Sequence, residues 1–322
     1  MRESLFVKQN SQRWQSYEQT STQNPDDLAD RFISITDDLA YAKTFYPKSQ
    51  TTAYLNGLAS KFHQNIYRNR KEKSNRFIYF WKIELPLLFK QYQKQLLYSG
   101  IFFVSFCLLG ALSAKYDDTF VRLIMGDTYV EMTNENIAKG DPFGVYKKQS
   151  EMPMFLTIAA NNIYVSFITY VCGIFFSVGT VYFLIKNGIM LGAFQYYFFS
   201  KSLGLQSVLV IWLHGTLEIS AIIIAGGAGL AMGNSLLFPG TYSRLDSIKK
   251  GAKDGMKIAI GLVPIFIAAA FIEGFITRHT EMPVWLSAAI LSTSAAFIIW
   301  YVIIYPNLLH KLKNNDGTEL RT

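Results

Sequence analysis

Apolar positions recur along this chain in two distinct patterns. Over residues 1–95 they fall at helical spacing on otherwise polar segments. Phe6, Trp14 and Tyr17 share one helix face, and Leu28, Phe32, Ile35 and Leu39 repeat the pattern in the next segment. Tyr46-Pro47 closes that segment, because proline disfavours helix at the residue before it. A third helix is predicted through Tyr54, Leu55, Leu58, Phe62, Ile66 and Tyr67, on which the lone His63 reads as a packed side chain rather than a ligand. Residues 77–98 are aromatic and basic, as expected of a helix lying at a membrane interface.

Beyond residue 95 the pattern changes to long apolar runs, and about twenty apolar residues suffice to cross a bilayer core. Residues 96–114, 164–185, 206–232, 256–276 and 284–305 meet that length. A sixth candidate, 189–200, has only twelve residues and reads as either a short crossing or a re-entrant helix. The expected fold is therefore all-α: a polytopic membrane protein of about six transmembrane helices with an N-terminal soluble helical bundle. Its divisions are a cytoplasmic helical segment over 1–95, a transmembrane domain over 96–305 and a polar cytoplasmic tail over 306–322.

Charge orients these spans. The 115–155 loop carries five basic and seven acidic residues and reads as extracytoplasmic. Residues 241–257 carry Arg244, Lys249, Lys250, Lys253 and Lys257 against Asp246 and Asp254, and read as cytoplasmic. Lys186, following the 164–185 span, is read as a second inside point. Two inside points require an even number of crossings between them, so 189–200 is counted as a crossing. Both termini then lie in the cytoplasm of an inner-membrane protein. The 115–155 loop is too long for a plain connector. Phe120, Leu123, Ile124, Met125, Tyr129, Val130 and Met132 predict one or two amphipathic helices there, closed by a turn at Gly140-Asp141-Pro142.

Composition agrees with a soluble part joined to a membrane part: 50% of the 322 residues are hydrophobic and mean hydropathy is +0.17. The net charge of +8 could suggest nucleic acid, but nine basic residues crowd between Lys61 and Lys94, just before the first apolar run. There they report orientation and attraction to anionic lipid, so nucleic acid is not an expected partner. Cys107 and Cys172 both lie in apolar runs, which leaves neither a disulfide framework nor a zinc cluster. The polar N-terminus lacks a signal-peptide core, so the first membrane helix is expected to serve as the targeting signal.

The sharpest local chemistry is Trp212-Leu213-His214-Gly215-Thr216-Leu217-Glu218. His214 and Glu218 are four apart and so share a helix face. An ionisable group at bilayer depth costs at least roughly 2.5–3.5 kcal/mol, so it faces protein, a cavity or a partner. Glu273 is a third such residue, near the outer end of the 256–276 span. Four readings are open: a structural polar clamp, a proton or ion pathway, a metal site and catalysis. A metal is not expected, since two ligands at helical spacing are too few and no third histidine sits nearby in sequence. No HExxH, GxSxG or EExxxR motif and no phosphate-binding glycine loop occurs, so neither an enzyme nor a cofactor is expected. Asn161 and Asn162 are read as opening the 164–185 span and Asn187 with Gly188 as closing it, either as caps or as amides bonding between helices. Gly188 with Gly192, and Gly229 with Gly233, have the four-residue spacing that lets helix backbones approach closely, within one chain or between two copies.

Taken together these residues resemble the stage II sporulation protein M family of bacterial and archaeal membrane proteins. The resemblance runs through Phe6-Val7, Arg13-Trp14, Asp38-Leu39-Ala40, Tyr46-Pro47, Leu55-Asn56 and His63 with Ile66-Tyr67. It continues through Gly140-Asp141-Pro142, Asn161-Asn162, Asn187-Gly188, His214-Gly215 with Glu218, and Ala269-Ala270-Phe271-Ile272-Glu273. The founding members act in envelope remodelling during spore engulfment with cell-wall hydrolase partners, and the N-terminal segment looks like that of the longer, non-sporulation branch. The resemblance implies a non-enzymatic role at the cell envelope. Two function classes follow: a membrane scaffold that docks envelope proteins, and a transporter or channel-like permease component with His214, Glu218 and Glu273 along a polar path. The resemblance favours the scaffold; the expected partners are the lipid bilayer, envelope proteins and a second copy of the chain.

Overall fold

The computed structural model describes residues 2–19, 25–67, 76–147, 150–279 and 282–315, and every regular element among them is helical. The chain forms two compact units, Met1–Asn75 and Arg76–Thr322.

The first unit consists of α1 (Glu3–Gln19), α2 (Pro25–Phe45) and α3 (Gln50–Tyr67). The predicted faces meet in one core of Phe6, Trp14, Ile35, Leu39, Leu55, Leu58 and Phe62. Helix α2 stops at Phe45, two residues before Pro47, as the pre-proline restriction requires. Polar ties register the helices: Asp38 accepts from Arg13 (2.5 Å) and from the buried Trp14 indole (2.7 Å), while Glu18 accepts from Tyr54 (3.0 Å) and Lys61 (2.7 Å). Glu18 is held below the usual carboxylate range by its hydrogen bond from Lys61. His63 is exposed, its ring 6.1 Å from that of Phe32, so it is not the packed side chain its surroundings suggested. The predicted contributions of Ile66 and Tyr67 lie outside the described side chains.

The second unit starts at residue 76, ahead of the boundary at 95 read from sequence. It opens with α4 (Arg76–Tyr79), a π-helical turn (Phe80–Glu84) and α5 (Leu85–Gln91). Only the first of these matches the expected interfacial helix, with Phe77, Ile78 and Tyr79 exposed. The wider π turn shifts the register, and Leu85, Leu88 and Phe89 then pack into the bundle core with Ile258, Leu262 and Tyr301. The hydroxyls of Tyr301 and Tyr305 donate to the carbonyls of Trp81 and Lys82, at 2.7 and 2.9 Å.

Helix α6 (Gln93–Tyr116) is followed by α7 (Asp118–Met125) and α8 (Asp127–Ala138), two helices where the sequence predicted one or two amphipathic ones. Asp117 caps α7 through Thr119, and Gly126 and Gly140 turn the chain at φ +85° and +77°. Then come α9 (Glu151–Val171, prolonged to Ile174 by a 3-10 turn), α10 (Val178–Ser200) and α11 (Gly204–Leu237). Helix α12 (Arg244–Phe271) runs on through a π-helical segment, Ile272–Thr277. Helix α13 (Val284–Ile299) continues through another π turn into α14 (Tyr305–Asn315).

Among the described residues, five stretches are long and apolar enough to cross a membrane: Gln93–Tyr116, Glu151–Ile174, Gly204–Leu237, Arg244–Thr277 and Val284–Lys313. Their boundaries, with α10, correct the sequence reading between residues 151 and 200. The apolar run read as one span over 164–185 is broken at Phe175–Ser177, where Phe176 and Ser177 take positive φ. Hydropathy does not dip there, so periodicity could not find the break. Conversely, Lys186-Asn187-Gly188, read as an inside loop, lies midway along α10, a 23-residue helix. The inside point at Lys186 and the twelve-residue sixth span therefore both disappear into one full-length helix. Helix α10 runs parallel to α6, with Gly188 facing the Phe103 carbonyl and Gly192 facing Cys107. By the same logic α9 and α11 run parallel, since Thr169 and Gly173 both meet Gly229, and Gly173 also meets Gly233.

A candidate intramembrane site between four helices

Helix α11 places His214 and Glu218 on one face, four residues apart, as their spacing requires. The remaining groups come from elsewhere. The π-helical end of α12 carries Glu273 and Thr277, and the middle of α9 carries Asn161 and Asn162. Helix α10 adds Met190 and Phe194, and α8 adds Tyr129. Together with Trp212, Gly215 and several apolar side chains, these residues line a cavity of about 520 Å³, except Thr277, which stands behind His214.

His214 is 4% exposed. Its Nδ1 lies 3.0 Å from Thr277 Oγ1, and its Nε2 lies 3.7 Å from Glu273 Oε2. One ligand atom each from His214, Glu218 and Glu273 can be chosen so that all lie within 4.8 Å of one another. Asn162, 5% exposed, adjoins Glu218 and accepts from Asn161 at 3.4 Å, and its Nδ2 meets no partner at full hydrogen-bond geometry among the described residues. Two carboxylates beside one imidazole in an apolar bundle call for a compensating proton or cation, since uncompensated charge is strongly disfavoured there.

The frame around these groups is rigid. Arg278 pairs with Glu151 at 3.0 Å, joining the end of the π segment to the first turn of α9. Phe155 packs against Phe271 and Phe275 at the same level. Trp212 donates to Gln195 (2.8 Å), which donates in turn to Ser207 (2.8 Å), tying α10 to α11. On the side of the amphipathic helices, burial pushes the Tyr129 hydroxyl up to about 12.

Five of the polar residues singled out in sequence thus converge: His214, Glu218, Glu273, Asn161 and Asn162. Neither asparagine opens a span; both lie within α9. Asn187 does not join them, because its amide donates to the Phe183 carbonyl (2.8 Å) within its own helix. The glycines serve packing inside the chain: Gly188 and Gly192 against α6, Gly229 against Thr180 and Gly233 against Ser177. Thr277 and Tyr129 escaped the sequence reading. Thr277 carried a usable signal, being four residues from Glu273, whereas Tyr129 reaches the cavity only through the tertiary fold. The third ligand-type residue missing from local sequence is Glu273, which α12 supplies.

Residues 99–278 match the family model described as Stage II sporulation protein M, more than half of the chain and the whole of the site's polar set. Residues 4–68 match a second model described as a domain of unknown function, DUF8413. No curated protein and no solved structure matches the chain.

Proposed function

Because the chain belongs to the stage II sporulation protein M family of membrane proteins, we propose that it is a multi-pass protein of the cytoplasmic membrane that admits a small cationic or polar solute to an intramembrane pocket. The observation carrying this reading is the cavity of about 520 Å³ beside His214, Glu218 and Glu273. Side chains that merely lock helices together need direct mutual contact and close packing. A cavity that size beside three ionisable groups instead leaves room for a bound species.

Charge supports the sidedness. The basic start of α12 (Arg244, Lys249, Lys250, Lys253, Lys257) belongs on the cytoplasmic side, and the acid-rich 115–155 segment on the outside. Helices α6 and α10 then run outward and α9 and α11 inward, both termini are cytoplasmic, and the pocket occupies the outer half of the bundle. The role is non-enzymatic, consistent with a sequence lacking the familiar catalytic motifs. The compact N-terminal unit favours a second reading, as a scaffold docking envelope proteins.

Gly215 separates the two. It lines the cavity, and a Cβ built on it meets nothing within 4 Å. In a Cys107→Ala, Cys172→Ala background, Gly215→Cys should react with a membrane-impermeant thiol reagent from the outer face and not from the cytoplasmic face. A thiol inert from both faces would refute the solute-binding reading and leave the scaffold.

A further inference from the structure

We infer that His214, Glu218 and Glu273 bind one exchangeable divalent first-row transition cation, with Thr277 orienting the imidazole; this deepens the solute-binding reading by naming the class of ion.

The donor set comes first. One imidazole nitrogen and two carboxylates are ligands for ions of the zinc or manganese type, and the imidazole distinguishes the site from all-oxygen magnesium or calcium cages. A dication also cancels the two carboxylate charges within an apolar bundle, and among the described residues no Lys or Arg lines the cavity to do so instead.

Geometry is the second support. Bonds of 2.0–2.2 Å set neighbouring ligands of a tetrahedral ion about 3.3–3.6 Å apart. His214 Nε2 and Glu273 Oε2 stand 3.7 Å apart, and all three ligand atoms fall within 4.8 Å. Small side-chain rotations close the remainder. A partner for the other ring nitrogen is also in place: Thr277 Oγ1, 3.0 Å from Nδ1, can accept its proton and leave the Nε2 lone pair facing Glu273. Metal-binding histidines characteristically hold their other ring nitrogen this way.

A separate observation points to a ligand. Asn162 is 5% exposed, lines the same cavity and turns its amide toward Glu218, yet its Nδ2 meets no partner at full hydrogen-bond geometry among the described residues. Buried polar atoms in native proteins are almost always satisfied. A water or small anion carried by the cation would satisfy it. Three protein ligands beside a cavity leave coordination positions open, which marks an exchangeable ion rather than a structural one.

The test uses the full-length chain, purified in detergent, stripped with chelator and titrated with Zn²⁺ or Mn²⁺ alone, with bound metal counted by mass spectrometry. The wild type should hold one ion more per chain than Glu273→Gln or Glu218→Gln, and equal Mg²⁺ or Ca²⁺ should not displace it. Thr277→Val should bind roughly 10- to 100-fold more weakly, the usual effect of losing the hydrogen bond that orients a ligating histidine. Should the glutamine variants fold poorly, the wild-type melting temperature should rise with Zn²⁺ or Mn²⁺ and fall back with chelator, and Thr277→Val should need more metal for the same rise. No ion beyond that held by Glu273→Gln, or a metal-independent melting temperature, would overturn the inference. If Gly215→Cys is nevertheless labelled, the solute-binding reading survives that failure. An ion bound while Gly215→Cys stays inert would uphold the cation site and refute the solute-binding reading.

Discussion

Gly192 tests the helix arrangement on which the pocket depends. A Cβ added there would lie 1.9 Å from the Cys107 carbonyl oxygen and 2.7 Å from the Ala111 nitrogen, two backbone atoms four residues apart on α6. No rotamer change relieves a clash with backbone, so α6 and α10 must part locally by roughly 1 Å. Overpacking of this kind costs about 1–3 kcal/mol, with the upper end expected where only backbone can move. Alanine regains up to about 1 kcal/mol over glycine through helix propensity. The net loss for Gly192→Ala is then about 1–2 kcal/mol, a fall in melting temperature of roughly 2–8 °C for a unit of this size. Gly215→Ala is the control: nothing lies within 4 Å of its Cβ, so it should be neutral or gain up to about 1 kcal/mol. Heating the detergent-solubilised chain and measuring the monodisperse fraction reads both. A Gly192→Ala protein as stable as wild type would show that α10 does not pack against α6 through this glycine, and the parallel pairing would fail with it.

Two further substitutions probe polar contacts at the ends of α6. The Tyr92 hydroxyl, pushed upward by burial, donates to the buried Asp254 at 2.8 Å, and the next donor, Gln91, stands at 3.4 Å. Tyr92→Phe should cost about 1.5–3 kcal/mol, as for other hydrogen bonds to charged groups, and an unchanged melting temperature would refute that role. Asp117 is held below the usual carboxylate range by the hydrogen bonds from the Thr119 side chain and backbone. Its contribution as the α7 cap should be fully present above the unfolded carboxylate value and disappear as pH falls through the lowered folded one. Protection of the Thr119 amide, relative to its intrinsic exchange rate at each pH, should fall over that acid range in the wild type, and should already be low at neutral pH in Asp117→Ala.

Periodicity and length alone were enough for the helical class, the three-helix N-terminal core, the amphipathic helices at 118–138 and most of the apolar spans. Those features rest on local regularities: a face repeating every three to four residues, a proline that stops a helix, a run long enough to cross lipid. His214 and Glu218 were legible for the same reason, because four-residue spacing on a helix is itself a spatial statement. The fold alone decided where the chain turns between α9 and α10, because a break inside a continuous apolar run and polar residues midway along a helix both invert the hydropathy signal. The fold also decided the identity of the site. Glu273 and Thr277 from α12, Asn161 and Asn162 from α9 and Tyr129 from α8 reach α11 only through packing between helices distant in sequence. That proximity leaves no periodic trace, since it depends on how glycine-faced helices nest rather than on any spacing along one of them.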